Sequence, residues 1–184
     1  MKKKYKISQS TKELIRTEVF DYLRIILTAI VISFGLNHYV ISNALVPSGS
    51  MESTIQVNDR LFINRLSYVT QEPQRGDIIS FYFPDNEEEI YLKRIIGLPG
   101  ETIEGRDGEI YINDVLLEES YIKEISYDDF GPYTVPDECY FCMGDNRNHS
   151  FDSRYWQHKF VSKDKIVGRA MLKYYPHFEN LYIK

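Results

Sequence analysis

The stretch GDIISFYFPDNEEEIYLKRIIGLPG, residues 76–100, sets two runs of Ile, Phe, Tyr and Leu on either side of Pro84-Asp85-Asn86 and closes on Leu98-Pro99-Gly100. Short apolar runs rich in aromatic and β-branched residues, bounded by turn residues, read as strands. The acidic triplet Glu87-Glu88-Glu89 between them reads as a solvated loop. The same pattern continues outward in DRLFINRLSYV (59–69), GEIYIND (108–114), ECYFCMGD (138–145) and KIVGRAMLKYY (165–175). Breaks fall at Arg75-Gly76-Asp77, Arg106-Asp107-Gly108 and Asn113-Asp114, the last two carrying hairpin dipeptides. An aromatic share of 14% agrees with strands, where flat side chains pack on a pleated surface. The expectation is a mainly β fold: one antiparallel, partly closed β domain over residues 47–184, with no helix in it beyond short pieces around Tyr155 to Phe160.

Before that domain lies the apolar run IILTAIVISFGLNHYVISNALV, residues 25–46, which contains no Asp, Glu, Lys or Arg. As a helix it would rise roughly 33 Å, enough for a bilayer core. Asn37, His38, Ser42 and Asn43 interrupt its outer half. Residues 1–46 carry about +4, and the rest of the chain about −9, within a net charge of −5. Basic residues before an apolar span and an acidic domain after it predict a cytoplasmic N-terminus at 1–24, a single-pass transmembrane anchor at 25–46 in the cell membrane's lipid bilayer, and an extracytoplasmic domain. A cleavable signal peptide competes with this reading, because Ser42-Asn43-Ala44 is a small-x-small triplet. Cutting there would leave the loop beyond it as a raw terminus. So acidic a domain repels a phosphate backbone, which argues against nucleic acid as a partner.

Cys139 and Cys142 form a C-x-x-C pair, but in a strand context residues three apart face opposite sides, so they read as small apolar strand residues rather than a redox pair. No second ligand pair has zinc spacing, and Asp128-Asp129 reads as a loop; no metal or cofactor is expected.

Chemistry is concentrated in three places. PSGSMESTI, residues 47–55, packs three serines around a glycine; Pro and Gly suit a turn, and Ser48 or Ser50 could attack a carbonyl if a base were near. His149 and His158 are possible bases, whereas His38 lies in the apolar run and His177 in a tail-like segment. Lys93 is the other candidate: on a strand it shares a face with Tyr91 and Ile95. A lysine becomes a base near pH 7 only if its pKa falls by about three units, worth about 4 kcal/mol, and desolvation supplies shifts of that size. MGDNRNHSFDSR, residues 143–154, interleaves Asp145, Arg147, Asp152 and Arg154 with amides and hydroxyls, a composition able to form a hydrogen-bonded network. No G-x-S-x-G elbow is present, which disfavours an α/β-hydrolase.

Taken in order, the anchor, PSGSMEST, NDRLFINRLSY, RGDIISFYFP with YLKRIIGLPG, and MGDNRNHSFDSR resemble the bacterial type I signal peptidases, serine proteases of the Ser/Lys dyad class. The resemblance implies Ser50 as nucleophile, Lys93 as general base, and Ser48 as a side-chain donor to the oxyanion. It also implies that Ser150 orients the base and that Asp145, Arg147, Asp152 and Arg154 form a supporting network. Val46, Pro47, Met51, Ile55, Tyr91 and Leu92 match positions lining pockets for small substrate side chains. The sequence departs from the family pattern at Ser53, where Pro is usual; Asn58, where Gly is usual; Arg65, where Lys is usual; and Asn148-His149, where Asp-Asn is usual.

In function, the resemblance implies a membrane-bound endopeptidase that removes signal peptides from preproteins after a small-x-small site, close to the secretion translocon and without a cofactor. Two alternatives share the fold: a dedicated peptidase with few clients, and a non-enzymatic assembly factor for pilus or surface proteins. Self-cleaving repressors also use Ser/Lys chemistry on this fold, but the apolar run and the absence of a DNA-binding head count against that reading.

Overall fold

The computed structural model describes residues 9–182, with side chains from Arg16 onward except at positions 37 and 38. Lys2, Lys3, Lys4 and Lys6 of the expected cytoplasmic segment therefore lie outside the described residues, as do the side chains of Lys12 and His38. The chain divides into two compact units, one reaching Val40 and one beginning at Ile41.

The first unit is one helix, α1 (Gln9–Gly35), followed by a π-helical turn at Leu36–Val40. The large apolar side chains of α1 from Val19 to Phe34 are half exposed or more. The described residues contain no helix long and apolar enough to cross a membrane. Beyond Arg24, its last charged residue, α1 continues only to Gly35, about 16 Å of rise against the roughly 30 Å of a hydrocarbon core. The run read as a helix over 25–46 therefore stops short: Ile41–Leu45 is a strand. Ser42 and Asn43 belong to that strand, and its backbone groups are satisfied by pairing, from Ile41 opposite Asn64 to Leu45 opposite Arg60.

The second unit holds twelve strands among the described residues: β1 (Ile41–Leu45), β2 (Arg60–Asn64), β3 (Ile78–Phe83), β4 (Asn86–Gly97), β5 (Thr102–Arg106), β6 (Glu109–Ile112), β7 (Val115–Leu116), β8 (Phe130–Thr134), β9 (Cys139–Met143), β10 (Val161–Ser162), β11 (Ile166–Tyr175) and β12 (Glu179–Asn180). The pairing is antiparallel throughout, in a larger sheet ordered β1-β2-β11-β3-β4-β9-β10, with β12 against β11, and a smaller one ordered β7-β6-β5-β8. Antiparallel β is thus as expected, but neither sheet closes. The turn at Leu98-Pro99-Gly100, with Gly100 at φ 79°, leads the chain out of the larger sheet into the smaller, leaving β1 and β10 as free edges.

Hairpin chemistry operates where the sequence places it. Asp107 and Gly108 (φ 53° and 83°) join β5 to β6, and Asn113 and Asp114 (φ 50° and 65°) join β6 to β7, both two-residue turns with left-handed central residues. Two local readings are corrected. Glu87-Glu88-Glu89 lies inside β4, in a register irregularity between the Tyr82–Ile90 and Phe83–Asn86 pairs; its side chains stay in water while its backbone remains extended. Tyr155 to Phe160 is not helical; Tyr155 and Trp156 N–H both return to Asp152 O, closing one turn that does not propagate. The short 3₁₀ turns fall instead at Arg147–His149 and Lys163–Lys165. Cys139 and Cys142 are free thiols on β9, and burial pushes the Cys142 thiol far up.

Three apolar clusters support this layout. One, including Val46, Met51, Ile55, Leu61 and Ile63, lies under the serine-rich turn. A second, including Phe81, Phe83, Ile95, Cys142 and Trp156, packs behind the Lys93 segment of β4. The third, including Ile96, Ile103, Ile110, Phe141 and Met143, joins the two sheets. Because successive β4 residues alternate in direction, Ile95 and Ile96 serve different clusters.

Candidate active site

Beyond β1 the chain leaves the sheet edge through Val46-Pro47 and turns back over residues 48–55. Val46 N–H donates to Asp59 O (3.0 Å) and Asn58 N–H to Val46 O (2.8 Å), closing the base of the turn, while Ile55 N–H returns to Met51 O (2.8 Å). Asn58 has φ 70°, in the left-handed region that glycine favours and asparagine tolerates, which accounts for Asn at a position where the resemblance expects Gly. Ser50 is 9% exposed. Its carbonyl accepts from Asn146 N–H (3.1 Å), and Asn146 Nδ2 donates to Gly49 O (2.9 Å), so the serine turn is sewn to the segment after β9.

Lys93, on β4, is 4% exposed and its Nζ stands 2.8 Å from Ser50 Oγ and 3.1 Å from Leu92 O. The Tyr91 ring centroid is 5.4 Å from the same nitrogen, consistent with the face shared along the strand. Burial lowers the Lys93 pKa from its ordinary value to about 8, against the opposing pull of Asp152, Cys142 and Asp145. A buried amine that loses its proton near neutrality, touching a hydroxyl, can take the hydroxyl proton.

Asp145, Arg147, Asp152 and Arg154 of MGDNRNHSFDSR are all paired, one couple within the segment and the other two with residues outside it. Asp152 and Arg154 form a two-pronged pair (2.8 and 2.9 Å), and Asp152 also accepts from Gly144 N–H (3.0 Å). Asp145 instead takes Arg94, the residue after Lys93, in a fork of 2.8 and 2.6 Å with both side chains fully buried, and accepts from Thr54 Oγ1 (2.5 Å). One carboxylate therefore links the serine turn to the lysine strand. Arg147 forks onto Glu119 (2.7 and 2.5 Å). Arg94, Thr54 and Glu119 were not among the residues singled out from sequence. Glu119 carries no local signal, but Arg94 and Thr54 sit next to named motif residues and could have been found by asking what Asp145 pairs with.

Ser150 is buried near this point, and a Cβ on Gly144 would lie 2.3 Å from its Oγ. Its hydroxyl has no hydrogen-bond partner among the described residues, so contact with Lys93 is not formed in this structure.

A groove of about 740 Å³ opens over Ser50 and Lys93, walled by β1 on one side and residues 89–93 of β4 on the other. Val46, Pro47, Ser48, Met51, Tyr91 and Leu92 line it. Ile55 does not: it is fully buried in the cluster beneath, because the Met51–Ile55 turn points it inward. His149 and Phe151 line the groove, but no hydrogen bond joins His149 to Ser50 among the described residues. His158 pairs with Asp85 (2.7 Å) and lines no part of the groove. Beside the groove, β4 pairs with β9 only from Arg94 onward, so its earlier residues present a free strand edge facing that of β1.

A hydroxyl and a desolvated amine in contact at the floor of a peptide-sized groove with two strand edges define a site equipped for acyl transfer on an extended chain. The signal peptidase family, peptidase S26, matches residues 19–175. The chain is similar to a probable signal peptidase I-2 of Synechocystis sp., 41% identical over 81% of this chain and 70% of that protein. It is also similar to signal peptidase I P of Bacillus subtilis subsp. natto, 35% identical over 88% of this chain and 91% of the other. A crystal structure of a signal peptidase I from Enterococcus faecalis covers 55% of this chain and 98% of its own, at 40% identity and a TM-score of 0.49. The chain belongs to the signal peptidase family, and it is an enzyme of that class.

Proposed function

We propose that this protein removes signal peptides from exported preproteins by Ser/Lys chemistry, with Ser50 as nucleophile and Lys93 as general base. The observation that carries the reading is the 2.8 Å approach of Lys93 Nζ to Ser50 Oγ inside a buried site. Neutral Lys93 accepts the Ser50 proton as Oγ attacks the scissile carbonyl. The Ser48 hydroxyl and Ser50 N–H receive the oxyanion, each such donor typically worth a few kcal/mol in the transition state. The lysine ammonium protonates the leaving amine, and water then hydrolyses the acyl-enzyme, again with Lys93 as base. The substrate lies extended between the edges of β1 and β4, and Val46, Met51, Tyr91 and Leu92 restrict the side chains facing the groove floor, which favours a small-x-small site. Asp145, Arg147, Asp152 and Arg154 hold the surrounding loops. Ser150, its hydroxyl free of other hydrogen bonds among the described residues, is the residue assigned to orient Lys93.

The reading extends to location: the apolar stretch of α1 after Arg24, too short by itself for the whole hydrocarbon core, anchors the chain in the bilayer, with the basic N-terminus cytoplasmic and the β unit outside. Nine residues separate Val40 from Ser50, so the reaction takes place near the surface where precursors emerge from the translocon.

The test is cleavage of a signal-bearing preprotein in detergent by the intact protein, Ser50→Ala and Lys93→Ala. Cleavage after a small-x-small site, absent from both variants, is expected. Cleavage that survives Lys93→Ala would turn attention to His149.

A further inference from the structure

The smaller sheet contributes a segment that the catalytic scheme leaves unused. From Leu117 to Asp129, between β7 and β8, the chain runs about a dozen residues without regular structure, a length at which connections in compact domains tend to be functional. It packs on its own sheet through Leu117 and Tyr121, but its hydrogen bonds to that sheet are few: Leu117 N–H to Ile110 O (2.8 Å) and Ser126 N–H to Gly108 O (3.3 Å). Most of its polar contacts reach the loops around Ser50.

Along the strap, Arg147 forks onto Glu119, both nearly fully buried. Tyr121 O accepts from Ser53 Oγ (2.6 Å), and the Tyr121 ring lies 4.0 Å under the Arg94 guanidinium. Asn148 grips the backbone twice, Nδ2 donating to Ile125 O (3.0 Å) and Oδ1 accepting from Tyr127 N–H (2.9 Å). Arg154 Nη1 donates to Ser126 Oγ (2.9 Å), and Tyr155 OH to Asp128 (2.5 Å). Three of these contacts belong to two positions, 53 and 148, where the sequence departs from the pattern it resembles. A proline at 53 would have no hydroxyl, and an aspartate at 148 could accept from Tyr127 but not donate to Ile125.

The geometry points to residues 117–129 as a strap that holds the Ser50 turn in register with Lys93, with Ser53 and Asn148 as positioning residues that fasten it. This rests on the proposal that Ser50 and Lys93 react together. The strap grips the serine turn from both ends. On one side Ser53 is three residues beyond Ser50. On the other, Asn148 and Arg147 come directly after Asn146, whose backbone and side chain hold Ser50 O and Gly49 O. The strand walls of the groove, β1 and residues 89–93, receive no hydrogen bond from the strap among the described residues, so releasing it loosens the reacting pair while the strand edges that hold an extended substrate stay in place.

The prediction is a split between kcat and KM. Ser53 is exposed and Asn148 half-buried, so the double variant Ser53→Ala/Asn148→Asp removes two fastenings without opening the core. In full-length protein assayed on a signal-bearing preprotein, kcat should fall about tenfold with KM within twofold, as expected for a misplaced reacting group. Amide exchange should rise in residues 117–129 and not in β3 or β4. Unchanged kcat in the double variant, or a rise in KM with kcat intact, would overturn the strap. If the double variant unfolds, Ser53→Ala alone, at an exposed position, is measured instead, with the same criteria. Failure of the underlying reading is separable: it would show as cleavage by Ser50→Ala or none by the intact protein, whatever the double variant does.

Discussion

Lys93 is deprotonated near pH 8 when folded and near 10.5 when unfolded, because burial disfavours its charge. That one shift has two consequences. As a base it must be neutral, so cleavage should rise with pH through an apparent pKa of about 8, measured as kcat/KM from pH 6 to 10. As a buried cation it opposes folding: below pH 8 the full penalty of roughly 3 kcal/mol applies, and it is relieved as pH rises from the folded to the unfolded value. Lys93→Met should therefore abolish cleavage yet raise the thermal midpoint at pH 6–7, with the gain shrinking toward pH 10. Asp145 has the opposite character, since it neutralises a fully buried Arg94. Asp145→Asn should destabilise by about 3–5 kcal/mol in denaturant titration, chiefly by stranding the arginine.

At the level of elements, the site is a meeting of three pieces, the turn after β1, the first half of β4, and the loop after β9. Gly144 lies against both the serine turn and the loop after β9. A Cβ there would approach Ser50 O to 2.4 Å, and a backbone carbonyl has no rotamer with which to yield. Gly144→Ala should displace Ser50 from Lys93 and cost activity by a hundredfold or so, read from kcat with the fold checked by circular dichroism. The β5–β6 hairpin supplies a contrast. Gly108 sits at φ 83° with Ile125 Cδ1 2.8 Å from its missing Cβ, so Gly108→Val should destabilise the smaller sheet by more than about 1 kcal/mol without acting at the groove directly.

For the whole molecule, the separation into a helical unit and a β unit predicts that removal of residues 1–38 leaves a folded enzyme. All three core clusters belong to the β unit. Such a protein should cleave short soluble peptides at the full-length rate and membrane-inserted precursors markedly more slowly, because tethering no longer concentrates enzyme and substrate on one surface. Equal rates on inserted precursors would remove the proposed anchoring role from α1.

Period-two apolar runs and left-handed turn pairs determined by themselves that this chain is antiparallel β from Arg60 onward, because such signals depend only on neighbours in sequence. The ordered motifs likewise identified Ser50 and Lys93 as a pair worth testing. Other features depended on which strand found which partner. The run after Gly35 reads as membrane span until β2 claims Ile41–Leu45, a pairing no local pattern encodes. Ile55 reads as a pocket residue until the turn aims it into the core. Asp145 and Arg147 read only as members of one charged network; folding delivers Arg94 from β4 to the first and Glu119 from the strap to the second. Long-range pairing of buried charges is decided by tertiary structure because a charge leaves water only where the whole fold supplies its counter-charge in a forked geometry, and that place need not lie nearby in the chain.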